Sequence, residues 1–249
     1  MSKLNLITVF IAVLLKLSLA KAPAAIDQWV IWDIGQGQWV THILTDECIH
    51  YDVGGELGSF KYIKKSFTQA CATKKNFVLL SHWDFDHYLN LTSVVKTTTD
   101  VCWLDQPALN KMNKSIKALL ALNVRTCTGL PSVTINRWSP SSAQSSNDFS
   151  SVHLDSGFLM SGDSPIQKEK TWVRELKYVT SSKVLVLGHH GSRTSTGGDL
   201  LQHLPHLKMA ISSARFKKYG HPHKETLLRL SKNKTPVLKT EDWGSIWFY

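Results

Sequence analysis

The sequence predicts a layered α/β fold, on three observations. The first predicted elements, between residues 29 and 53, are strands joined by short turns, which is typical of antiparallel sheet. From residue 59 onward, predicted helices and strands alternate, as they do in layered α/β proteins. A Ser-rich stretch at 140–146 separates two parts of the chain that each contain strands and helices, and it is the best candidate for an internal boundary.

The elements of the first part can be assigned in order. Apolar runs bounded by turn residues predict strands over 29–33, 39–44, 48–53, 76–81 and 101–104. Helices are predicted over 59–70 and over 109–122, the second with lysines on its solvent face.

The second part follows the same alternation. Strands are predicted over 150–154, 158–161, 184–188 and 208–212. Helices are predicted over 167–178 and 223–231, and Pro222 precedes the second of these in a position that favours a helix start.

The composition is that of a folded protein with an anionic partner. Of 249 residues, 43% are hydrophobic and 19% are charged, which excludes a disordered or fibrous chain. The formal net charge of +10 favours an anionic partner, although charge alone says nothing about the fold.

The N-terminal segment has the features of a secretory signal peptide. Lys3 precedes a nearly continuous apolar stretch at 4–15, and small residues near position 20 supply a cleavage site. A membrane anchor is the alternative, but Lys16 interrupts the apolar run before the roughly 20 residues that a spanning helix needs. We therefore expect residues 1–22 to be removed, residues 23–249 to form a single domain, and the protein to be secreted or periplasmic.

Export changes the interpretation of the four cysteines, Cys48, Cys71, Cys102 and Cys127. None belongs to a CxxC pair, which argues against a structural zinc site. In an oxidising compartment an even number predicts two disulfides. The pairs Cys48 with Cys71 and Cys102 with Cys127 are favoured because each would tie two ends of one strand–helix unit; four buried free thiols are the alternative.

Four metal-ligating side chains lie within six positions after the predicted strand 76–81. The segment HWDFDH supplies His82, Asp84, Asp86 and His87. Imidazole and carboxylate groups together suit zinc or manganese. Such a cluster is electrostatically costly without a cation, so the sequence predicts a metal site here.

Three further segments are rich in ligands. SGDS supplies Asp163, HHGS supplies His189 and His190, and YGHPH supplies His221 and His223. The first two follow predicted strands, and the carboxyl ends of strands are where α/β folds usually bind ligands. Together with HWDFDH, these segments supply enough ligands for two metal ions.

The order of these motifs resembles that of the metallo-β-lactamase superfamily, on HxDxDH at 82–87, GD at 162–163 and the histidine at 190. Five segments, DIGQG, YDVGG, SGD, HHGS and YGHP, further resemble, in order, the extracytoplasmic domain of ComEC/Rec2 DNA-uptake proteins. The resemblance covers almost all of the chain after residue 22. It implies an αββα sandwich, in which two β-sheets are flanked by helices.

The resemblance also implies roles for individual residues. It implies two divalent metal ions, one held by His82, Asp84 and His190, the other by Asp86, His87 and His221, with Asp163 bridging them. Asp52 would orient the metal-ligand loop, and His189 would face the substrate phosphate. The motifs leave open which of His189 and His190, and which of His221 and His223, binds metal.

Three positions depart from the family pattern. Asp84 stands where most of the superfamily has a second histidine, a feature shared with the ComEC-like group. The third-motif histidine has no evident counterpart, since Asn147, Ser150 and Ser151 occupy that region, so a single metal ion is the alternative. Gln38 stands where ComEC-like chains have aspartate.

The implied activity is phosphodiester hydrolysis. A dinuclear metal centre can activate a hydroxide for attack on phosphate, and catalytic contributions are expected from Asp86, His189 and Arg193. We expect an exported nuclease without sequence specificity, acting on DNA or RNA. The alternatives are a small-molecule metallohydrolase, such as a phosphocholine esterase or β-lactam hydrolase, and a nucleic-acid-binding protein without catalysis.

Basic residues near the YGHP segment are candidate nucleic-acid contacts. They are Arg215, Lys217, Lys218 and Lys224, which would gain from phosphate neutralisation. Phe216 and Tyr219 are candidates for base stacking, with packing in the core as the alternative. A neutral or acidic rim around the site would instead favour the small-molecule alternative.

Overall fold

The computed structural model describes residues 25–107, 109, 112–142 and 144–249. The predicted signal peptide, residues 1–22, lies outside the described residues. Within them, twelve strands numbered in chain order form two six-stranded sheets.

The first sheet has the strand order β12-β1-β2-β3-β4-β5. Its strands are β1 Asp27–Ile31, β2 Val40–Leu44, β3 Glu47–Tyr51, β4 Lys75–Leu79, β5 Asp100–Asp105 and β12 Ile246–Phe248. The β1–β2–β3 meander is antiparallel, as predicted, whereas β3, β4 and β5 run parallel. The parallel arrangement places the ends of β3 and β4 at the same edge of the sheet.

The second sheet has the strand order β11-β10-β9-β8-β7-β6. Its strands are β6 Ile135–Trp138, β7 Val152–Asp155, β8 Phe158–Met160, β9 Val184–Val186, β10 Met209–Ser212 and β11 Val237–Lys239. The strands from β8 to β11 are parallel, so their carboxyl ends share one edge.

Helices cover the outer faces of the sheets. Those of the described residues are α1 Phe60–Cys71, α2 Phe85–Tyr88, α3 Leu91–Thr97, α4 Lys114–Leu120, α5 Ile166–Glu175, α6 Gly198–Gln202, α7 Phe216–Tyr219, α8 Lys224–Lys232 and α9 Thr240–Trp243. Short 3-10 turns span Asn147–Phe149, Val179–Ser181 and Gly188–Gly191. In the part of the chain that the structure covers, no helix has the length and apolar character needed to cross a membrane.

The alternation of side chains along the strands builds a four-layer core. Trp29 of β1 faces inward and packs in one cluster with Phe158 of β8, between the two sheets. Val30, on the opposite face of β1, belongs with Phe67 of α1 to a second cluster. Trp172 of α5 packs in a third cluster on the outer face of the second sheet. The layers are therefore helix, sheet, sheet and helix, which confirms the predicted αββα sandwich.

Both predicted disulfides are confirmed. Cys48 of β3 is bonded to Cys71 at the end of α1. Cys102 of β5 is bonded to Cys127, in a segment that pairs with Trp103 through the backbone.

Two predicted helices have different bounds in the structure. The helix predicted over 109–122 is α4, which begins at Lys114 because the side chain of Asn113 accepts a hydrogen bond from the Ile116 N–H at 2.8 Å and caps it there. The helix predicted over 167–178 is α5, which ends at Glu175. Leu176 takes an extended backbone with ψ 114° and Tyr178 a left-handed one with φ 62°, and both are incompatible with a continuing helix.

The predicted internal boundary at 140–146 is wrong. This Ser-rich loop joins β6 to β7, which pair with each other inside the second sheet. The chain passes from one sheet to the other between β5 and β6 instead, and β12 returns to the first sheet. Strands β6, β11 and β12 were not predicted from the sequence; each is three or four residues long and lies at a sheet edge, so little of it carries an alternating pattern.

Candidate metal centre

The HWDFDH segment leaves the carboxyl end of β4 and turns into α2. His82 and His87 are fully buried there, while Asp84 and Asp86 are partly exposed. Asp84 is the residue before the first turn of α2, and the rings of His82 and His87 on either side of it lie 4.2 Å apart between centroids.

Glycines of the DIGQG and YDVGG segments allow other backbone to approach this loop. A Cβ at Gly54 would lie 1.6 Å from the carbonyl oxygen of Asp86, and one at Gly37 would lie 2.5 Å from it. The same carbonyl accepts hydrogen bonds from the N–H groups of Gln38 at 3.1 Å and Gly55 at 3.0 Å. These two motifs therefore enclose the backbone of the metal-ligand loop.

Asp52 is buried behind the loop and accepts four hydrogen bonds. Its Oδ2 accepts from Gln38 Nε2 at 2.8 Å, from Ser81 Oγ at 2.8 Å and from His87 Nδ1 at 2.7 Å, and its Oδ1 accepts from the Ser81 N–H at 2.7 Å. Gln38, which stands where ComEC-like chains have aspartate, thus acts as a donor to Asp52. This bond uses Nδ1 of His87, so Nε2 is the ring nitrogen that remains to bind a metal ion.

Of the three residues in the region where the superfamily has its third-motif histidine, Asn147 and Ser150 contact the site through their side chains, whereas the Ser151 hydroxyl contacts Ser139. Ser150 Oγ lies 3.2 Å from His82 Nδ1 and accepts a hydrogen bond from the Asp163 N–H at 3.0 Å. Asn147 Nδ2 lies 3.3 Å from His189 Nδ1. These contacts fix the orientation of neighbouring imidazoles.

The second sheet supplies Asp163 after β8 and the tandem histidines after β9. His189 and His190 have left-handed backbones, with φ of 50° and 56°. Such conformations cost about 1–3 kcal/mol each and persist only where the surroundings impose them. Here the Gly188 N–H donates to Thr196 Oγ1 at 3.2 Å, and Pro222 fills the space where a side chain of Gly191 would lie.

Four buried atoms of these side chains converge without a hydrogen-bond partner in the described structure: His82 Nε2, His87 Nε2, His190 Nε2 and Asp163 Oδ1. His87 Nε2 is 3.1 Å from Asp163 Oδ1, and His190 Nε2 is 3.1 Å from Asp86 Oδ2. Two groups of ligand atoms are compact: within each group, every atom lies within 4.8 Å of the others. One group is His82, His87 and Asp163, and the other is Asp86, His87 and His190. Because buried polar atoms are otherwise paired, this donor set fits divalent metal ions.

The charges of the cluster are mutually dependent. Burial alone would raise the pKa of Asp86, but its contact with His190 and the charge of His87 lower this pKa to about 2. Burial would likewise raise the pKa of Asp163, yet His87 and His190 hold it well below its ordinary value. Both carboxylates are therefore ionised at neutral pH, as metal binding requires.

Three other predicted residues surround this centre. Asp84 Oδ2 is 3.4 Å from His82 Nε2, and His189 Nε2 is 3.5 Å from Asp163 Oδ2. His221 lies beyond His189, with the ring centroids 5.8 Å apart. Burial, aided by His189 and His190, lowers the pKa of His221 to about 4, so its imidazole is neutral.

The structure separates the histidine pairs that the motifs left open. The His223 side chain caps α8 by accepting from the Glu225 N–H at 3.3 Å, whereas His221 lines a cavity beside the centre. His190 is the tandem histidine that belongs to a ligand group, and it lies with Asp86 and His87. The resemblance implied a different grouping, in which His190 shares an ion with His82 and Asp84.

A cavity of about 570 Å³ opens beside Asp86, His189 and His221. Residues that the sequence did not single out complete it, among them Gln36, Glu56, Leu57 and Phe85. Gln36 Nε2 is 3.3 Å from His221 Nδ1 and so reaches a predicted ligand. For Glu56, the signal in the sequence is its place directly after the YDVGG segment.

The predicted basic contacts are not equivalent. Lys218 Nζ donates to Glu56 Oε1 at 2.9 Å, and Arg215 Nε lies 3.4 Å from Glu56 Oε2, so one carboxylate neutralises part of both charges. Lys217 and Lys224 are exposed. Arg193 is also exposed, and its described contact with the fold is the backbone carbonyl, which accepts from Arg229 at 3.0 Å.

Comparisons with known proteins identify distant relatives in sequence. No family model matches the chain. It is 25% identical to the competence protein ComA of Neisseria gonorrhoeae over 88% of its length, and 26% identical to recombination protein 2 of Haemophilus influenzae over 86%. It is also 29% identical to ComE operon protein 3 of Bacillus subtilis over 44% of its length. The chain spans only 31%, 28% and 14% of these relatives, respectively.

Two solved structures share the fold. The metallo-beta-lactamase fold protein YhfI of Bacillus subtilis superposes with a TM-score of 0.56 at 8% identity, covering 90% of this chain and 99% of that one. A diphosphatase from the PhnP family superposes with a TM-score of 0.52 at 12% identity, covering 90% and 98%. The chain has the metallo-β-lactamase fold and is a distant homologue of the competence proteins over most of its length.

Proposed function

We propose that the protein is an exported, metal-dependent phosphodiesterase that hydrolyses DNA without sequence specificity. The observation that carries this proposal is the convergence of four unpartnered buried atoms, on His82, His87, Asp163 and His190, beside an open cavity. These ligand atoms contact one another and neighbouring carboxylates of the site at 3.1–3.8 Å, and such a buried set of imidazoles and carboxylates is suited to hold metal rather than to stabilise the fold.

The residues of the site would have three roles: holding metal ions, orienting the metal-binding histidines and contacting the substrate. His82, His87, Asp163 and His190, with Asp86, would hold divalent ions, zinc or manganese, which when bound polarise the phosphate and generate a nucleophile at neutral pH. Asp52 and Ser150 fix the orientations of His87 and His82. His189 faces the cavity, and burial lowers its pKa, so at neutral pH it would offer the phosphate a hydrogen bond rather than a positive charge.

DNA is proposed as substrate on two grounds. The net charge of +10 favours a polyanion. The curated relatives are named for competence and recombination, and their homology extends through the site.

The predicted signal peptide and the two disulfides support an extracytoplasmic location.

The test is hydrolysis of DNA by the purified protein with added manganese or zinc. We expect fragments to appear with metal and to disappear with chelator, and His82→Ala and Asp86→Ala to abolish the activity while the circular dichroism spectrum stays unchanged. His206→Ala, at an exposed histidine outside the site, is the matched control and should retain activity. Hydrolysis that survives both site substitutions would refute the assignment of the metal centre.

A small-molecule metallohydrolase is the second candidate, and the charge of the cavity favours it. Glu56 lines the cavity and pairs with Arg215 and Lys218, so this rim is less basic than the sequence suggests. Hydrolysis of a phosphocholine ester or of a chromogenic β-lactam, with DNA left intact under the same metal conditions, would select this candidate.

A further inference from the structure

The cavity beside the metal centre has exposed apolar walls. Leu57, Phe85 and Tyr219 line it, and they are 82%, 41% and 42% exposed. Large apolar side chains that are exposed around a functional cavity indicate a ligand with apolar surface. The ring of Phe85 is held in place by an edge contact with Tyr88, at 5.9 Å between centroids.

The cations nearest this cavity are already paired. Glu56 binds Lys218, and the Lys218 Nζ also lies 4.9 Å from the centroid of the Tyr219 ring. Arg215 lies against the same carboxylate. A ligand that enters the cavity therefore gains less from phosphate neutralisation there than from contact with the aromatic rings.

Positive charge without a carboxylate partner among the described residues lies instead on α1, where Lys61 Nζ also lies 4.8 Å from the centroid of the Tyr62 ring. Lys61, Lys64 and Lys65 are exposed on this helix, and no carboxylate of the described residues lies within ion-pair distance of them. Positions i, i+3 and i+4 share one face of a helix, so the three ammonium groups form a single row. The helix begins at Phe60, three residues after Leu57 of the cavity wall, so the chain keeps Lys61 within about 14 Å of Leu57.

The apolar wall of the cavity and the lysine row on α1 together favour one form of nucleic acid over the other. In a duplex the faces of the bases are stacked on each other, and only phosphates and groove edges are accessible. An unpaired strand offers base faces to aromatic side chains, while its backbone can follow a track of cations. A cavity of about 570 Å³ is large enough for one nucleotide with its base unstacked.

We infer that the site takes an unpaired nucleic-acid strand, with one base held against Phe85 and Tyr219 beside the metal centre and the adjoining backbone along Lys61, Lys64 and Lys65. The inference rests on the proposed function and narrows its substrate to single strands. Duplex DNA would be a substrate only where its ends or gaps are unpaired.

The test measures binding of oligonucleotides to the protein in chelator, where no hydrolysis occurs. The readout is the fluorescence anisotropy of a labelled twelve-nucleotide oligothymidylate and of a blunt duplex of the same length. The single strand should bind more tightly. Phe85→Ala and Tyr219→Ala should each weaken its binding about 5- to 100-fold, the usual effect of losing one base–aromatic stack. Tyr249→Ala, a 90% exposed aromatic residue that follows β12 near the start of β1, at the other end of the sheet, is the control and should have no effect.

The cationic row has a separate readout. Changing Lys61, Lys64 and Lys65 together to Gln should reduce the dependence of log affinity on log salt concentration by about 2, since each phosphate contact on a single strand contributes about 0.7. The matched triple variant changes the exposed Lys177, Lys183 and Lys208, at the amino ends of the second-sheet strands, and should leave the slope unchanged.

The outcomes separate this inference from the proposed function. Equal or tighter binding of the duplex, or Phe85→Ala and Tyr219→Ala variants that bind as Tyr249→Ala does, would overturn the inference even if metal-dependent DNA hydrolysis is found. Absence of hydrolysis, with single-strand binding that depends on both rings, would overturn the proposed function alone. Failure to bind either oligonucleotide would overturn the inference and direct the search to small molecules.

Discussion

His87 Nδ1 lies 2.7 Å from Oδ2 of Asp52, and both side chains are fully buried. The contact fixes the imidazole so that Nε2 points at Asp163 Oδ1, 3.1 Å away. Burial alone would lower the pKa of His87, but the charges of Asp163 and Asp52 raise it well above its ordinary value. The imidazole is thus held between two carboxylates, where a bound cation would take the place of the proton on Nε2.

Asp52→Asn should weaken metal binding about 10- to 100-fold, the usual effect of changing the partner of a metal-binding histidine. The physical reason is that Asn has a single acceptor oxygen: its amide nitrogen would oppose either the three donors at Oδ2 or the Ser81 N–H at Oδ1, and the charge beside His87 is lost in both orientations. Isothermal titration with zinc and with manganese measures the change.

Asp46→Asn is the matched control, because Asp46 is exposed in the turn between β2 and β3. It should bind metal as the unaltered protein does. An Asp52→Asn variant with unchanged affinity would show that Asp52 does not position His87.

Gly54→Ala should destabilise the protein by about 1–3 kcal/mol or more and reduce metal binding. A Cβ at this position would meet the backbone of Asp86 at 1.6 Å and of His87 at 2.7 Å, and backbone cannot rotate away as a side chain can. Urea unfolding measures the first effect and metal titration the second. Gly198→Ala, where a Cβ meets nothing within 4 Å, should change the free energy of unfolding by less than about 0.5 kcal/mol.

The parts of the fold that the sequence predicts are those with buried, regular elements. The strands from β1 to β5 and from β7 to β10 carry apolar runs bounded by turns, and the structure contains all of them near the predicted bounds. The edge strands β6, β11 and β12 are too short to show a period. The assignment of a strand to a sheet is non-local: β12 pairs with β1 from the far end of the sequence, and no local pattern encodes that.

For the site, too, the sequence predicts local features but not contacts between distant parts of the chain. Residue types and their place after strands identify the ligand-rich segments, because the carboxyl ends of the strands converge. Their grouping depends on how the two sheets face each other, and this places His190 Nε2 3.1 Å from Asp86 Oδ2. The contacts of Glu56 with Arg215 and Lys218 span 159 and 162 residues, so no local pattern in the sequence reveals that two of the predicted nucleic-acid contacts share one carboxylate.

Removing the disulfide between Cys48 and Cys71 by changing both residues to Ala should lower the free energy of unfolding by about 2–4 kcal/mol. The bond closes a loop with a sequence separation of 23 and restricts the unfolded chain. Urea unfolding with and without reductant measures the effect. The double variant should still lose stability in reductant, because the bond between Cys102 and Cys127 remains. If reductant does not change the urea unfolding of the unaltered protein, the prediction is contradicted.

Glu169 of α5 is a buried carboxylate that supports the segment after the tandem histidines. It accepts hydrogen bonds from the backbone N–H groups of Thr196 and of Gly197, the latter at 2.7 Å, and is 2% exposed. Burial raises the pKa of Glu169 to about 7, against the opposing effect of these two N–H donors. The folded protein therefore keeps a proton on Glu169 at pH values where the unfolded chain has lost it.

The sign of the pH dependence follows from this difference. Between pH 4.5, the ordinary pKa of the group, and pH 7 the folded state binds more protons than the unfolded state, so stability falls as pH rises. The full effect is about 3 kcal/mol, present below pH 4.5 and lost as pH passes 7. Glu169→Gln cannot titrate, so unfolding free energies in urea from pH 4 to 8 should decline by about 3 kcal/mol less in this variant than in the unaltered protein. Gln167→Ala, at an exposed position on the same helix, is the control and should shift the unfolding free energy by the same amount at every pH. If the unfolding free energy of Glu169→Gln instead falls with pH as steeply as that of the unaltered protein, Glu169 is ionised in both states.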